Sequence, residues 1–192
     1  MNKMKQISQY IAIVFFTVSC MNNHLKKNIQ QFIGQEIILS SDWKAMYKGR
    51  DTVLTDFREI DVKMVIFNDS LLCGSCQAGR MFEWNDIVAY ADSSSQKFFI
   101  IYLFSPRKED INRLNISLKA NKFNYPIFID INSSFIKQNP HLPKNQQLHT
   151  FLLDKNNKVV LVGSPLFNPA LWELYKSTIQ KMIDNDGVLP DQ

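Results

Sequence analysis

Two continuous apolar runs, "DVKMVIF" over 61–67 and "KFFIIYLF" over 97–104, constrain this chain more than any other feature. Each has the length of a strand and carries apolar residues on both alternating sides, as a strand buried on both faces should. Between them lies "QAGRMFEWNDIVAYADSSSQK", in which Met81, Trp84, Val88 and Ala91 recur at helical spacing. Strand, helix, strand with both strands buried predicts a parallel pair joined by a covering helix. Trp84, on the buried stripe, reads as a core residue rather than a ligand-binding one.

The remaining segments extend this pattern. "SPRKEDINRLNISLKANKF" predicts a second helix, capped at Ser105 with Pro106 in its first turn and with Ile111, Leu114 and Leu118 inward. "YPIFID" over 125–130 predicts a third strand, followed by a helical turn over 133–138. "HTFLLD" and "KVVLVG" predict two strands joined across Lys155-Asn156-Asn157. Asn168 and Pro169 open a last helix with Leu171, Leu174, Thr178 and Met182 on one face. Upstream, "QEIILSSDWKAMYKGRDTVL" suits a short hairpin or edge strand. The expectation is one α/β domain over 36–192, a mixed central sheet flanked by helices. A chain of 192 residues that is 45% apolar can build such a core.

The N-terminus reads differently. "MNKMKQISQYIAIVFFTVSC" opens with Lys3 and Lys5 and continues into an apolar stretch over 10–18. That stretch falls short of the ~20 residues a spanning helix needs, and it reads as a secretory signal over 1–19. Thr17-Val18-Ser19-Cys20 resembles the bacterial lipobox. The resemblance implies lipid on Cys20 and attachment to a membrane in the cell envelope, facing the periplasm or at the outer membrane. The polar residues 20–35 read as a tether, either a linker or a short helix. The net charge of +4 is scattered, with basic clusters no longer than two residues. It gives no footprint for nucleic acid.

"LLCGSCQAGR" places Cys73 and Cys76 three positions apart, between the first buried strand and the first long helix. A disulfide brace, half of a metal site and a redox centre all use this spacing. A brace over three residues would constrain very little chain. A metal site would need a further ligand, for which His141 and His149 are the candidates in the domain. Peroxidase chemistry calls for a Pro and a Thr just ahead of the reactive Cys, and "FNDSLLC" offers neither.

"CGSC" following "VKMVIFND", and "HTFLLDKNNKVV" some ~75 residues later, together resemble the thioredoxin-like proteins over roughly residues 55–185. The likeness is to the redoxin (AhpC/TSA-like) group, and to the exported lipoproteins of Bacteroidetes type within it. It implies a three-layer thioredoxin-like fold and a thiol–disulfide oxidoreductase acting by dithiol–disulfide exchange. Cys73 would be the exposed nucleophile at a helix start, its thiolate favoured by free backbone N–H groups, and Cys76 the partly buried resolving thiol. Partners would be a protein thiol or disulfide substrate and an electron donor or acceptor, with no bound cofactor and no metal. The chain departs from the family at Leu148 in the cis-proline position, at Leu72 where an aromatic often stands, at Gly74-Ser75 between the cysteines, and at Asn157 in place of a glycine. Leu148 is expected to be trans, since a non-proline cis bond costs ~2.5–4 kcal/mol. His149 beside it is expected close to Cys73, tuning the thiol. The alternatives are a non-catalytic thioredoxin-like binding module, and a copper-binding protein using Cys73, Cys76 and His149.

Overall fold

The computed structural model describes residues 23–54 and 57–190. Among them, strands β1 (Lys44–Tyr47), β2 (Arg50–Thr52), β3 (Val62–Asn68), β4 (Phe98–Phe104), β5 (Ile127–Ile129), β6 (Thr150–Leu153) and β7 (Val159–Val162) form one sheet in the order β2-β1-β5-β4-β3-β6-β7. The helices are α1 (residues 23–32), α2 (Gly74–Gly79), α3 (Asn85–Ser93), α4 (Ile111–Asn121), α5 (Ser134–Gln138) and α6 (Pro169–Ile183).

The two apolar runs are β3 and β4, paired in parallel from Val62 opposite Phe98 to Asn68 opposite Phe104. β5 adds in parallel to β4, while β6 and β7 add antiparallel on the other side of β3. The expected hairpin near the N-terminus is β1–β2, antiparallel to each other and carried on β5. Alternation sorts the side chains into two cores. Val62, Met64 and Ile66 meet α3, α4 and α6 on one face, and Val65 and Phe67 meet Phe32, Trp43 and Phe135 on the other. Lys63 breaks the apolar run yet is fully buried. Its ammonium donates to the carbonyls of Arg58 (3.1 Å) and Ile60 (2.7 Å). Burial pulls its pKa down against the opposing pull of Asp154, Asp61 and Glu59.

Three helices differ from their sequence expectations. The helix after the cysteines is broken: α2 ends at Gly79, Met81–Trp84 forms a 3-10 turn, and α3 resumes, with Met81, Trp84, Val88 and Ala91 all buried. Ser105 does not cap α4. It is fully buried, its N–H donates to the Asn68 carbonyl at 2.9 Å, and its hydroxyl meets Asp130 and Ser133, so the chain stays extended until residue 107. In α6 the cap is as expected, Asn168 accepting from Leu171 N–H at 3.1 Å. Its inner face, however, carries Tyr175, Ile179 and Met182, leaving Leu174 exposed. The Tyr175 hydroxyl donates to Gly163 O at 2.7 Å, and this bond rotates the aromatic inward at the expense of Leu174.

The signal over 1–19 and Cys20 lie outside the described residues. Of the two readings of the tether over 20–35, linker or short helix, the helix holds from residue 23, and its packing corrects the tether itself. Residues 23–32 are helical, Phe32 is 1% exposed, and Leu25 and Ile29 pack against the same core. Leu25, Ile29 and Phe32 fall at i, i+4 and i+7, an apolar stripe that the surrounding Asn, Gln and Lys residues conceal. Phe32 meets Phe151 edge-on at 5.1 Å, and Gly34 N–H donates to Val159 O at 2.7 Å. Among the described residues no helix is long and apolar enough to cross a membrane. Phe32→Ala should cost about 3–5 kcal/mol in urea unfolding, the usual loss for a buried aromatic. A loss under ~1 kcal/mol, as expected of a solvated surface position, would return α1 to the status of a tether.

Candidate active site

Cys73 ends the turn that follows β3 and is the N-cap of α2. Its Sγ accepts a hydrogen bond from Cys76 N–H at 3.3 Å and lies 3.5 Å from Ser75 Oγ. The two cysteines form a disulfide with their Cα atoms 5.2 Å apart. Gly74 packs beside α4, where an added Cβ would stand in ordinary contact, 3.6 Å from the Leu114 side chain. Both cysteines are exposed, which corrects the expectation that Cys76 is partly buried. The asymmetry between the sulfurs is therefore one of hydrogen bonding. Cys73 Sγ faces a backbone donor, which favours negative charge on that sulfur.

The turn ahead of Cys73 is held from within by Asp69, a carboxylate 8% exposed. Its Oδ1 accepts from Leu71 N–H at 2.9 Å and from the Gln146 side-chain amide at 2.8 Å. Its Oδ2 lies 3.7 Å from His149 Nδ1. Gln146 and Leu148 belong to a 3-10 turn (Gln146–Leu148) that delivers the chain into β6. Beside α2 opens a cleft of about 260 Å³, lined among others by Leu72, Gln77, Arg80, Trp84, His149 and Phe167. Phe167 is 76% exposed and has φ +59°, a left-handed conformation costly for a bulky residue.

No family model matches the sequence, and no curated protein matches it. Solved structures do match. The structure is similar to a Chlorobium tepidum protein assigned as the thiol:disulfide interchange protein DsbE, with TM-score 0.51 and 16% identity over 77% of this chain and 97% of that one. The fold is thioredoxin-like. A thioredoxin-like protein solved in its oxidised form aligns with TM-score 0.50 and 12% identity over 78% of this chain and 97% of that one. AhpC of Enterococcus faecalis gives 0.50 and 14% over 83% and 99%. At such identities the likeness speaks for the fold. The three-layer arrangement with a mixed central sheet, expected from the sequence, is the one these thioredoxin-like structures share.

Within this thioredoxin-like frame the remaining residues named from sequence fall as follows. Leu148 is 3% exposed and packs in the second core, and no described peptide bond is cis. His149 is 6% exposed, but it shares no hydrogen bond with either sulfur. Its Nε2 meets the Pro143 carbonyl at 2.8 Å, so that nitrogen carries the proton, and its ring packs on Phe67 at 5.2 Å. His141 lies against Phe32 instead. Among the described residues no three His, Cys, Asp or Glu side chains gather as a metal site, so Cys73, Cys76 and His149 are not assembled as a ligand set. Sequence reading passed over Asp69, Gln146 and Phe167. Only Asp69 left a local signal, since an Asp two positions before Leu71 can close a turn with its own side chain. His149→Ala should cost about 1–3 kcal/mol by stranding Pro143 O, while the pH profile of Cys73 alkylation stays that of the wild type. A displaced profile would give His149 the tuning role expected of it from sequence.

Proposed function

We propose that this chain is a thiol–disulfide oxidoreductase acting by dithiol–disulfide exchange on protein thiols. The observation that carries this reading is the exposed Cys73–Cys76 pair at the start of α2, with a backbone N–H directed at Cys73 Sγ. The names of the thioredoxin-like neighbours support it, one being assigned as a thiol:disulfide interchange protein.

In the reducing direction, the Cys73 thiolate attacks one sulfur of a substrate disulfide. A bond forms between Cys73 Sγ and that sulfur, and the other substrate sulfur leaves as a thiolate and takes up a proton. Cys76, deprotonated in turn, attacks Cys73 Sγ, and the second substrate sulfur leaves. The enzyme dithiol has lost two electrons, and the substrate disulfide has gained them with two protons. The oxidising direction is the reverse sequence. Attack on the outer sulfur falls to Cys73, because its thiolate keeps the Cys76 N–H. Exposure of both sulfurs lets a folded protein reach them without opening the domain.

Reduction of insulin disulfides should disappear in Cys73→Ser, and Cys76→Ser should accumulate mixed disulfides with substrate, resolved on non-reducing gels. Two variants that both behave as wild type would leave a thioredoxin-like binding module as the function.

The same proposal includes export and lipid attachment. The basic, apolar and small-residue layout ahead of Cys20 supports it. Cells grown with a fatty-acid analogue should yield labelled wild type and unlabelled Cys20→Ala. Wild-type protein that stays unlabelled and soluble would sink the anchor.

A further inference from the structure

The turn that carries Cys73 is fastened on its outer side by one exposed cation. Arg107 lies past the end of β4, just ahead of the 3-10 turn Lys108–Asp110 that leads into α4. Its Nε–H donates to the Ser70 carbonyl at 2.9 Å, across 37 positions of chain. Asp69 holds Leu71 N–H from within and Arg107 holds Ser70 O from without. The Ser70–Leu71 peptide group is thus held at both its N–H and its carbonyl just ahead of Cys73. The rest of the guanidinium is loosely engaged: Nη1 stands 4.0 Å from Glu109 Oε1, with the two side chains 54% and 69% exposed. An exposed contact of that length contributes little.

We infer that Arg107 is a positioning residue for disulfide exchange, holding the Ser70–Cys73 turn through its Nε–H and supporting the Cys73 thiolate with its charge. The inference rests on the redox reading of the pair. Ser70 is three residues from Cys73, a span of at most ~10 Å of chain, so the guanidinium bonded to Ser70 O stands at a distance on the order of the screening length, ~8 Å at physiological salt. The surrounding charges leave this one standing. Asp110 pairs with Arg113 at 3.7 Å, and Arg80 pairs with Glu83 at 2.9 Å beyond α2. Asp69 is taken up by its two donors and faces His149. Lys108 adds to the positive side and Glu109 opposes it.

The disulfide carries no charge, whereas the reduced pair carries a thiolate at Cys73. A cation at the turn therefore stabilises the reduced form selectively. Arg107 then raises the reduction potential and extends thiolate reactivity to lower pH.

The test uses the full chain with Arg107→Ala and Arg107→Lys, chemically reduced, with iodoacetamide as the probe of Cys73 and a glutathione buffer as the redox partner. Arg107→Ala should slow alkylation near neutral pH about threefold, move the pH profile upward, and lower the equilibrium constant for disulfide reduction about threefold. At 29.6 mV per tenfold that is about 14 mV toward a more negative potential. Arg107→Lys, which keeps the charge, should recover the profile, and 1 M salt should shrink the difference between wild type and Arg107→Ala. An Arg107→Ala protein with the wild-type profile and equilibrium constant, whatever its stability, would overturn the inference and leave Arg107 a surface tie. Alkylation is read on reduced thiols and needs no exchange activity. A wild type that alkylates normally but never exchanges with glutathione would overturn the redox reading alone.

Discussion

A strand buried on both faces can present polar chemistry only where it ends, and β3 imposes this constraint on the whole molecule. All seven of its residues are buried. Because β4 runs parallel to β3 and β6 antiparallel, the carboxyl ends of β3 and β4 and the amino end of β6 meet at one edge of the sheet. That edge supplies Asn68 and Asp69, Ser105 and Arg107, and His149 and Thr150. Two backbone bonds stitch it together: Ser105 N–H to Asn68 O, and Phe67 N–H to His149 O, both at 2.9 Å. The cysteine turn therefore rests on strand ends tied by backbone bonds, in the crevice where open α/β sheets place their sites.

Asp69 links the halves of this edge. A buried carboxylate is costly unless it is hydrogen-bonded, and here Oδ1 accepts from its own turn and from Gln146 across 77 positions. The cysteine turn and the entry to β6 are consequently one unit. Leu148 fits the same logic. Sunk in the second core, it lets the short turn over 146–148 swing Gln146 back to Asp69 and His149 onto Pro143.

Periodicity made much of this legible. The continuous apolar runs over 61–67 and 97–104 foretold β3 and β4, helical spacing foretold the segment between them, and the cysteines had to lie where that strand gives way to that helix. Asn157 shows a substitution that preserves geometry: it stands at φ +58°, where a glycine was expected, and Asn tolerates that conformation. Other features left no local trace. The apolar stripe of α1 is three residues in a polar stretch, and only contact with Phe151 reveals it. The inward turn of Tyr175 depends on a carbonyl twelve positions away. Burial of Lys63 likewise left no local trace, since it depends on the Arg58 and Ile60 carbonyls that accept from its ammonium. Arg107 reads as surface charge because its partner, Ser70 O, is brought near only by the pairing of β3 with β4.

In the proposed exchange both cysteines are exposed, so burial does not distinguish the two sulfurs and the backbone does. Cys73 caps α2 from outside the helix, so its sulfur turns back onto the Cys76 N–H, whereas Cys76 lies within the helix, where its own N–H is already given to Cys73. In the disulfide form, therefore, one sulfur has a backbone donor and the other has none. This asymmetry depends on the turn keeping its shape, and therefore on whatever holds Ser70 and Leu71. Of the residues between the cysteines, Ser75 places a hydroxyl beside the capping sulfur. Chemistry in this site is thus set by anchors outside the Cys-x-x-Cys stretch as much as by the stretch itself.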